Sequence, residues 1–350
     1  METDTILFEK KANLAQASLN DIFWNSKESV YEPYISENVL ETENFHYWWQ
    51  AHAIDVLVDG YERTQEPQFI TQIDKLLEGI RNTNDNTMIN DFYDDMEWMA
   101  LALLRVYQCV EEDSYLDLVK MLWKDIETGW NDICGGGFAW QKNQLYYKNT
   151  PANAPAIILA LRLYQIEHDK RYLNLAKKAF SWLEDHLIDH ETGFVWDGMN
   201  REQDMHIDKD WEFTYCQGVY VGACVEIFKI TDENAYLKKA QKTIHTAFKR
   251  LTEENSIIIQ SEGIGDGGLF KGIFIRYVEY FLSYFNDKVI ENYLIENATS
   301  AGKRCRNDTN YLFGEYWSKD NQLSSITLST HLSGCMIMES VNRLQHKREL

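Results

Sequence analysis

Proline is nearly missing from this chain, with four residues in 350. No segment is rich in glycine or serine either, so nothing reads as a flexible linker between independently folding parts. A single domain covering residues 1–350 is expected. Long apolar runs are also absent. None approaches the roughly 20 residues needed to cross a bilayer, which removes a membrane partner. Basic residues are the minority, 34 Lys and Arg against 55 Asp and Glu, for a net charge of −21. Such a surface repels phosphate backbones and anionic headgroups while promoting solubility, so nucleic acid is excluded as a partner. The six cysteines, Cys109, Cys134, Cys216, Cys224, Cys305 and Cys335, lie far apart and show no C-x-x-C spacing. This excludes a zinc or dithiol site of that type, and reduced, buried thiols are expected. The amino terminus, METDTILFEKKANLAQ, lacks a basic stretch followed by an apolar one and a small-residue cleavage site, so a cytoplasmic location is expected.

What the chain does contain is a weak repeat. An acidic residue followed by an aromatic–Leu step opens an amphipathic helix at DSYLDLVKMLW (from 113), DKRYLNLAKKAF (from 169) and DENAYLKKAQKTI (from 232). Tyr115, Tyr172 and Tyr236 are spaced by 57 and 64 residues, the length of a helix pair with long loops. Looser copies begin near Pro67 and Asp287. In these helices the apolar residues fall on one face, as with Leu116, Val119, Trp123 and Ile126, which leaves the other face wet. Between them lie segments apolar almost all round: 96–109, 154–164, 218–228 and 273–285. Those are helices surrounded by protein. The count is twelve, alternating half-wet and buried. The fold class expected is all-α, an (α/α)6 barrel of alternating outer and inner helices. Strand signals are limited to FAWQ and FVWDG, read as small ribbons in loops.

The connections differ in length by direction. Buried-to-outer links such as VEED, EHD and TDEN are short, whereas outer-to-buried links are long and rich in Trp, Tyr, Gly, Asn and Asp. On a barrel the long loops share one face with the amino termini of the inner helices, where function is expected. Asp94 and Asp95 stand there, in NDFYDDMEW. Cleaving an acetal needs one carboxylate to trap or stabilise the oxocarbenium ion and one carboxylic acid to protonate the leaving oxygen. The helix amino terminus favours the ionised form of one, and a like charge beside it raises the proton affinity of the other. Spacing alone does not choose between retaining and inverting chemistry. Asp residues at a helix start commonly serve only as caps. What shifts the reading is the aromatic set expected on the same face: Phe45, Tyr47, Trp48, Trp49, Trp140, Tyr146, Tyr147, Trp196, Trp211, Tyr215 and Trp317. Pyranose rings pack C–H faces on such planes.

Several blocks resemble glycoside hydrolase family 76, the endo-α-1,6-mannanases. YDDMEWMALALLRVY is similar to its Asp–Asp block, and GGGFAW with YKNTPANAP to its Gly-Gly-Trp and Lys-Asn-x-x-x-Asn segments. GFVWDG, TYCQGVYVGACVEIF and FKGIFIRY follow in order, so the resemblance spans about residues 10 to 340. It implies an (α/α)6 barrel and a retaining α-1,6-mannanase-like hydrolase acting on an oligosaccharide, with Asp94 as nucleophile and Asp95 as general acid/base. It also places Asn149, Asn153, Tyr215, Gln217 and Lys271 near the sugar, contacting hydroxyls or orienting the carboxylates; Asp197 and Phe270, in the matching blocks, and Trp48, Trp49, Trp140, Tyr147, Trp196 and Trp211, on the aromatic face, complete the expected substrate-binding set. No cofactor or metal is expected. The chain departs from the family at Cys216, where asparagine is usual, and at Glu97, where a small or neutral residue is usual. Two other readings stay open: a sugar epimerase or isomerase using paired histidines among His46, His52, His206 and His331, and a carbohydrate-binding or degenerate hydrolase without turnover. The Gly-rich runs 135–137 and 263–268 read as tight turns rather than phosphate loops.

Overall fold

The computed structural model describes residues 4–35, 45–305 and 310–349. Part of the first long link, residues 36–44, lies outside the described residues. Twelve α-helices follow one another among the described residues: α1 (Asp4–Phe23), α2 (Tyr47–Thr64), α3 (Gln68–Thr83), α4 (Tyr93–Val110), α5 (Asp113–Ile126), α6 (Thr150–Glu167), α7 (Lys170–Leu187), α8 (Thr214–Thr231), α9 (Asn234–Arg250), α10 (Gly267–Leu282), α11 (Lys288–Arg304) and α12 (Leu328–Glu349). No helix among the described residues is long and apolar enough to cross a membrane. All six cysteines are free.

The alternation of wet and dry helices follows the periodicity. Helices α3, α5, α7 and α9 bury six residues each, a single stripe of the kind a 3.6-residue repeat predicts. Helices α2, α4, α6 and α8 bury between 11 and 13 of 18. The short links have a common geometry. Gln65, Glu111, His168 and Asp232 each adopt a left-handed conformation after α2, α4, α6 and α8, and each donates its backbone N–H to the carbonyl four residues back. One left-handed residue ends the helix and turns the chain at once, so two or three residues suffice before the next helix begins.

Close packing divides the chain into two compact units: Met1–Met88 with Thr252–Glu279 and Asp287–Leu350, and Ile89–Leu251 with Tyr280–Asn286. In the first, α1 packs on α12, and α12 on α2 and α11. A buried ionic cluster ties its helices: both guanidinium nitrogens of Arg276 donate to Asp59, at 2.9 and 2.7 Å, and Arg343 adds a third bond at 3.1 Å. In the second unit, α4, α6 and α8 pack side by side, backed by α5, α7 and α9. Glu226, with no solvent exposure, is neutralised there by Arg162 at 2.5 Å and Lys229 at 2.9 Å. Arginine and lysine hold its carboxyl below the ordinary value despite burial.

Strands are vestigial: β1 (Trp24–Asn25) pairs with β2 (Val30–Tyr31), and β3 (Lys148–Asn149) with β4 (Gly198–Met199), both antiparallel. Loop backbone is instead held by side-chain amides that imitate a neighbouring strand. Gln50 accepts from the N–H of Tyr31 and donates to its carbonyl, both at 2.9 Å. Asn153 does the same to Phe138, at 2.7 and 3.0 Å, and Gln217 to Val195, at 2.9 and 2.7 Å. The GGG run is a tight turn, as expected. All three glycines have positive φ, and a Cβ on Gly137 would stand 2.9 Å from the Trp182 ring.

Candidate active site

Helix α4 starts without a side-chain cap. The backbone N–H of Tyr93 bonds instead to the carbonyl of Trp140 at 2.9 Å, and Phe92 bridges to Gln141, so the loop between α5 and α6 is sewn to the helix start. Asp94 and Asp95 occupy this first turn, where unpaired N–H groups and the helix dipole favour negative charge. Each carboxylate oxygen of Asp94 has a fixed donor: the N–H of Asp95 at 3.1 Å and the indole Nε1 of Trp140 at 3.1 Å. Burial outweighs these donors, and with the nearby Asp197 it pushes the Asp94 carboxyl up to about 7. Asp95 stays half-buried beside it.

One turn further on, Glu97 is fully buried. Neither of its oxygens has a hydrogen-bond partner among the described residues. The N–H of Ala156 on α6 favours the ion electrostatically but falls outside hydrogen-bond geometry. Burial, and then the charge of Asp94, hold Glu97 well above the usual carboxylate range and so favour its uncharged form.

Asp197, 3% exposed, is the hub behind the pair. Its carboxylate accepts from the hydroxyls of Tyr147 at 3.0 Å and Tyr215 at 3.1 Å and from the Cys216 thiol at 3.5 Å. Arg201 lies 3.7 Å away. Burial nevertheless leaves its proton affinity raised, the tyrosine and thiol bonds and Arg201 opposing it. The Tyr147 hydroxyl also stands 3.3 Å from Asp208 and accepts from Arg201. The Cys216 thiol is thus a third donor toward Asp197.

The residues expected to touch sugar divide by burial. Trp140, Trp196 and Tyr215 are half-buried and Trp211 is exposed. Tyr147 is buried and spends its hydroxyl on Asp197. Asn153 and Gln217 are fully buried, and each commits its oxygen and both amide hydrogens to backbone, with Asn149 and Phe213 as the further acceptors. Asn149 caps α6, accepting from the N–H of Ala152 at 3.2 Å. Asn153 and Gln217 therefore hold loop backbone with all of their amide groups, a correction to the sugar contact expected of them, whereas Asn149 spends only its oxygen on the cap. In the other unit, Trp48 and Trp49 both donate to Asp266, at 3.0 and 2.9 Å. Trp49 is buried against His46, with ring centroids 4.1 Å apart, so it is a prop rather than a platform. Trp48 is half-buried near Phe270, and Lys271 is buried, donating to the carbonyl of Glu315 over the Trp317 ring. Burial lowers Lys271 to about 8.

Two site residues escaped the sequence reading. Arg201 and Asp208 lie in NREQDMHIDKD, where the sole signal was a lone arginine among acids in a long loop. The histidines offer no pair of bases. His331 is core, bonded to Ala15 and Phe313 backbone, burial holds both it and His52 down at about 4, and His206 is exposed.

Two adjacent carboxyls in the first turn of α4, one gripped by two fixed donors, are the equipment of a glycoside hydrolase. The family model for glycosyl hydrolase family 76 matches residues 8–348, and the chain belongs to that family. Its fold is accordingly the (α/α)6 barrel expected from the helix count. The chain is 39% identical to the Lin0763 protein of Listeria innocua, covering 97% of this chain and 98% of that one with a TM-score of 0.92. It is 36% identical to the α-1,6-mannanase GH76A of Salegentibacter sp. HEL1_6, with a TM-score of 0.90 over 96% of this chain and 99% of that one. An inactive variant of that mannanase, with two consecutive aspartates replaced by alanine, is known in complex with α-1,6-mannotetrose. Among curated proteins it is 24% identical to the mannan endo-1,6-alpha-mannosidase DCW1 of Candida glabrata, over 86% of this chain and 73% of that one.

Proposed function

We propose that this hydrolase cleaves α-1,6-linked mannosyl oligosaccharides by a retaining double displacement, with Asp94 as nucleophile and Asp95 as general acid/base. The observation that carries the reading is the Asp94 carboxylate held by the Asp95 N–H and the Trp140 indole. Two fixed donors set the direction of its lone pairs, which attack on an anomeric carbon requires. Asp94 and Asp95 form the chain's one Asp–Asp pair, and loss of two consecutive aspartates inactivates the Salegentibacter mannanase. The fungal relatives named for mannan endo-1,6-mannosidase activity support the same linkage. In the first half-reaction Asp94 bonds to the anomeric carbon as Asp95 gives its proton to the departing oxygen. In the second, Asp95 takes a proton from water, whose oxygen displaces Asp94.

The family model extends across both packing units, which supports treating them as one catalytic domain. Six free thiols suit a reducing compartment, so the cytoplasm is proposed as the site of action and short imported oligosaccharides as the diet. Recovery of the native protein from culture supernatant would overturn that location.

The decisive experiment compares wild type, Asp94→Asn and Asp95→Asn on α-1,6-mannotriose and on an aryl mannoside with an activated leaving group. Each variant is expected to lose at least about a thousandfold on mannotriose. On the activated substrate Asp95→Asn still forms the glycosyl-enzyme, seen as a burst of aryl alcohol, and Asp94→Asn does not. A burst from Asp94→Asn instead would reverse the roles. Binding of mannotriose by wild type without products would sink the enzymatic reading, and first release of the β anomer by NMR would exclude retention.

A further inference from the structure

Trp211 is the one exposed tryptophan among the described residues, at 42%, and those residues include all eleven. An indole left in water has a cost, yet this one is held firmly. The Arg201 guanidinium lies 4.1 Å from the Trp211 ring centroid and 4.1 Å from that of Tyr147, a cation between two aromatic planes. Its charge is met by Asp208 at 3.4 Å and Asp197 at 3.7 Å. The loop carrying it is tightly built. Asn200, Gln203 and Met205 have φ of 67°, 61° and 62°, left-handed values that non-glycine residues keep only when the surroundings impose them and that cluster at ligand clamps. Asn200 supplies the constraint: it donates to the carbonyl of Tyr146 at 2.9 Å, accepts from the N–H of Met205 at 2.9 Å, and its own N–H bonds to His206 at 2.8 Å.

This loop is joined to the acid pair. Arg201 touches Tyr147, whose ring meets Trp140 edge-on at 5.8 Å, and Trp140 holds Asp94. With one indole face set toward the guanidinium and Phe213 6.1 Å from its ring, Trp211 keeps 42% of its surface open to a ligand. The carboxylates of Asp94, Asp95, Asp197 and Asp208 outnumber the single guanidinium, which favours a neutral pyranose over an acidic one.

We propose that Arg201 is a positioning residue that presents Trp211 as a stacking platform for a sugar unit beyond the bond that is cut, so that this loop sets the enzyme's preference for chain length. The inference rests on the assignment of Asp94 and Asp95 as the cleaving pair. A platform held rigid before binding spares the cost of ordering it afterwards, so its contribution falls on substrate binding rather than on bond cleavage.

The test is steady-state kinetics of wild type, Arg201→Lys and Trp211→Ala on α-1,6-linked mannobiose, mannotriose and mannotetraose, with melting curves to confirm folding. Arg201→Lys keeps the charge that Asp197 and Asp208 require and removes the flat guanidinium together with its hydrogen bonds to Tyr147 and Asp208. Both variants are expected to raise KM for mannotetraose by about tenfold, with a smaller effect on kcat, and to lose progressively less on mannotriose and mannobiose. Wild-type KM for mannotetraose in Arg201→Lys overturns the positioning role, and an equal loss at every chain length overturns the platform. If wild type turns over none of the three, the hydrolytic assignment fails on its own. Calorimetric titration with mannotetraose then decides the platform, with undiminished affinity in Trp211→Ala, or no binding by wild type, overturning it.

Discussion

The indole N–H of Trp140 bonds to the carboxylate of Asp94 at 3.1 Å across 46 residues of sequence. Trp140 is itself wedged between Phe92 and Tyr147, with ring centroids 5.1 and 5.8 Å away. The candidate nucleophile is thus aimed by a ring whose own position is set by packing.

Replacing Trp140 by Phe keeps the packing and removes the donor. The indole N–H favours ionised Asp94, so its loss raises the proton affinity further. A hydrogen bond to a charged group contributes about 1.5 kcal/mol, roughly one pH unit. The acid limb of kcat/KM in Trp140→Phe should move up by about that unit, read from a pH–rate profile. An unmoved limb would separate Trp140 from the charge of Asp94.

Asp94 also couples activity to stability. Its carboxyl titrates at about 7 in the folded chain against 3.8 ordinarily, so folding takes up a proton between those values. Below pH 3.8 the group is neutral in both states and costs nothing; as pH rises toward 7 its charge is increasingly penalised. The full difference has an upper limit of about 4 kcal/mol, reduced by solvent at a half-buried site. Asp94→Asn is therefore expected to melt higher than wild type at pH 8 and level with it at pH 4. Equal differences at both would show that the charge is not the cause. The wild-type kcat/KM should fall below pH 7 as the nucleophile protonates.

Glu97 is a plainer liability. A buried acid with two unpaired oxygens costs about 1–3 kcal/mol relative to an apolar group of similar size. Glu97→Met should accordingly raise the denaturation midpoint at pH 8, as measured in urea. A drop would mean that the carboxyl has a partner essential to the fold.

Gln217 offers the reverse case. Gln217→Leu strips three hydrogen bonds and leaves the N–H and carbonyl of Val195 unpaired, two residues before Asp197. A loss of about 2–4 kcal/mol is expected, with faster amide exchange around Val195 and a lower kcat. A fall in affinity for oligosaccharide with unchanged stability would instead restore the direct sugar contact that the buried amide argues against.

The amino-acid sequence by itself determined the alternation of helices. Helix burial repeats every 3.6 residues and is written locally, so the starts inferred at Asp113, Asp169 and Asp287 fall within a residue of α5, α7 and α11. It also brought Asp94 and Asp95 to a helix amino terminus, because the buried run after them is unbroken. Tertiary structure decided which aromatic is a prop and which a platform, and which polar residue faces a ligand. Trp49 and Trp211 are both tryptophans beside long loops, yet one is sealed by Asp266 and His46 and the other stands open on Arg201. Asn153 and Gln217 sat within motif blocks and turned out to hold backbone. The partners that make these choices, Tyr147 for Asp197 and Arg201 for Tyr147, are 50 and 54 residues apart. Pairings at that range depend on where folded loops meet, and no periodicity along the chain encodes them.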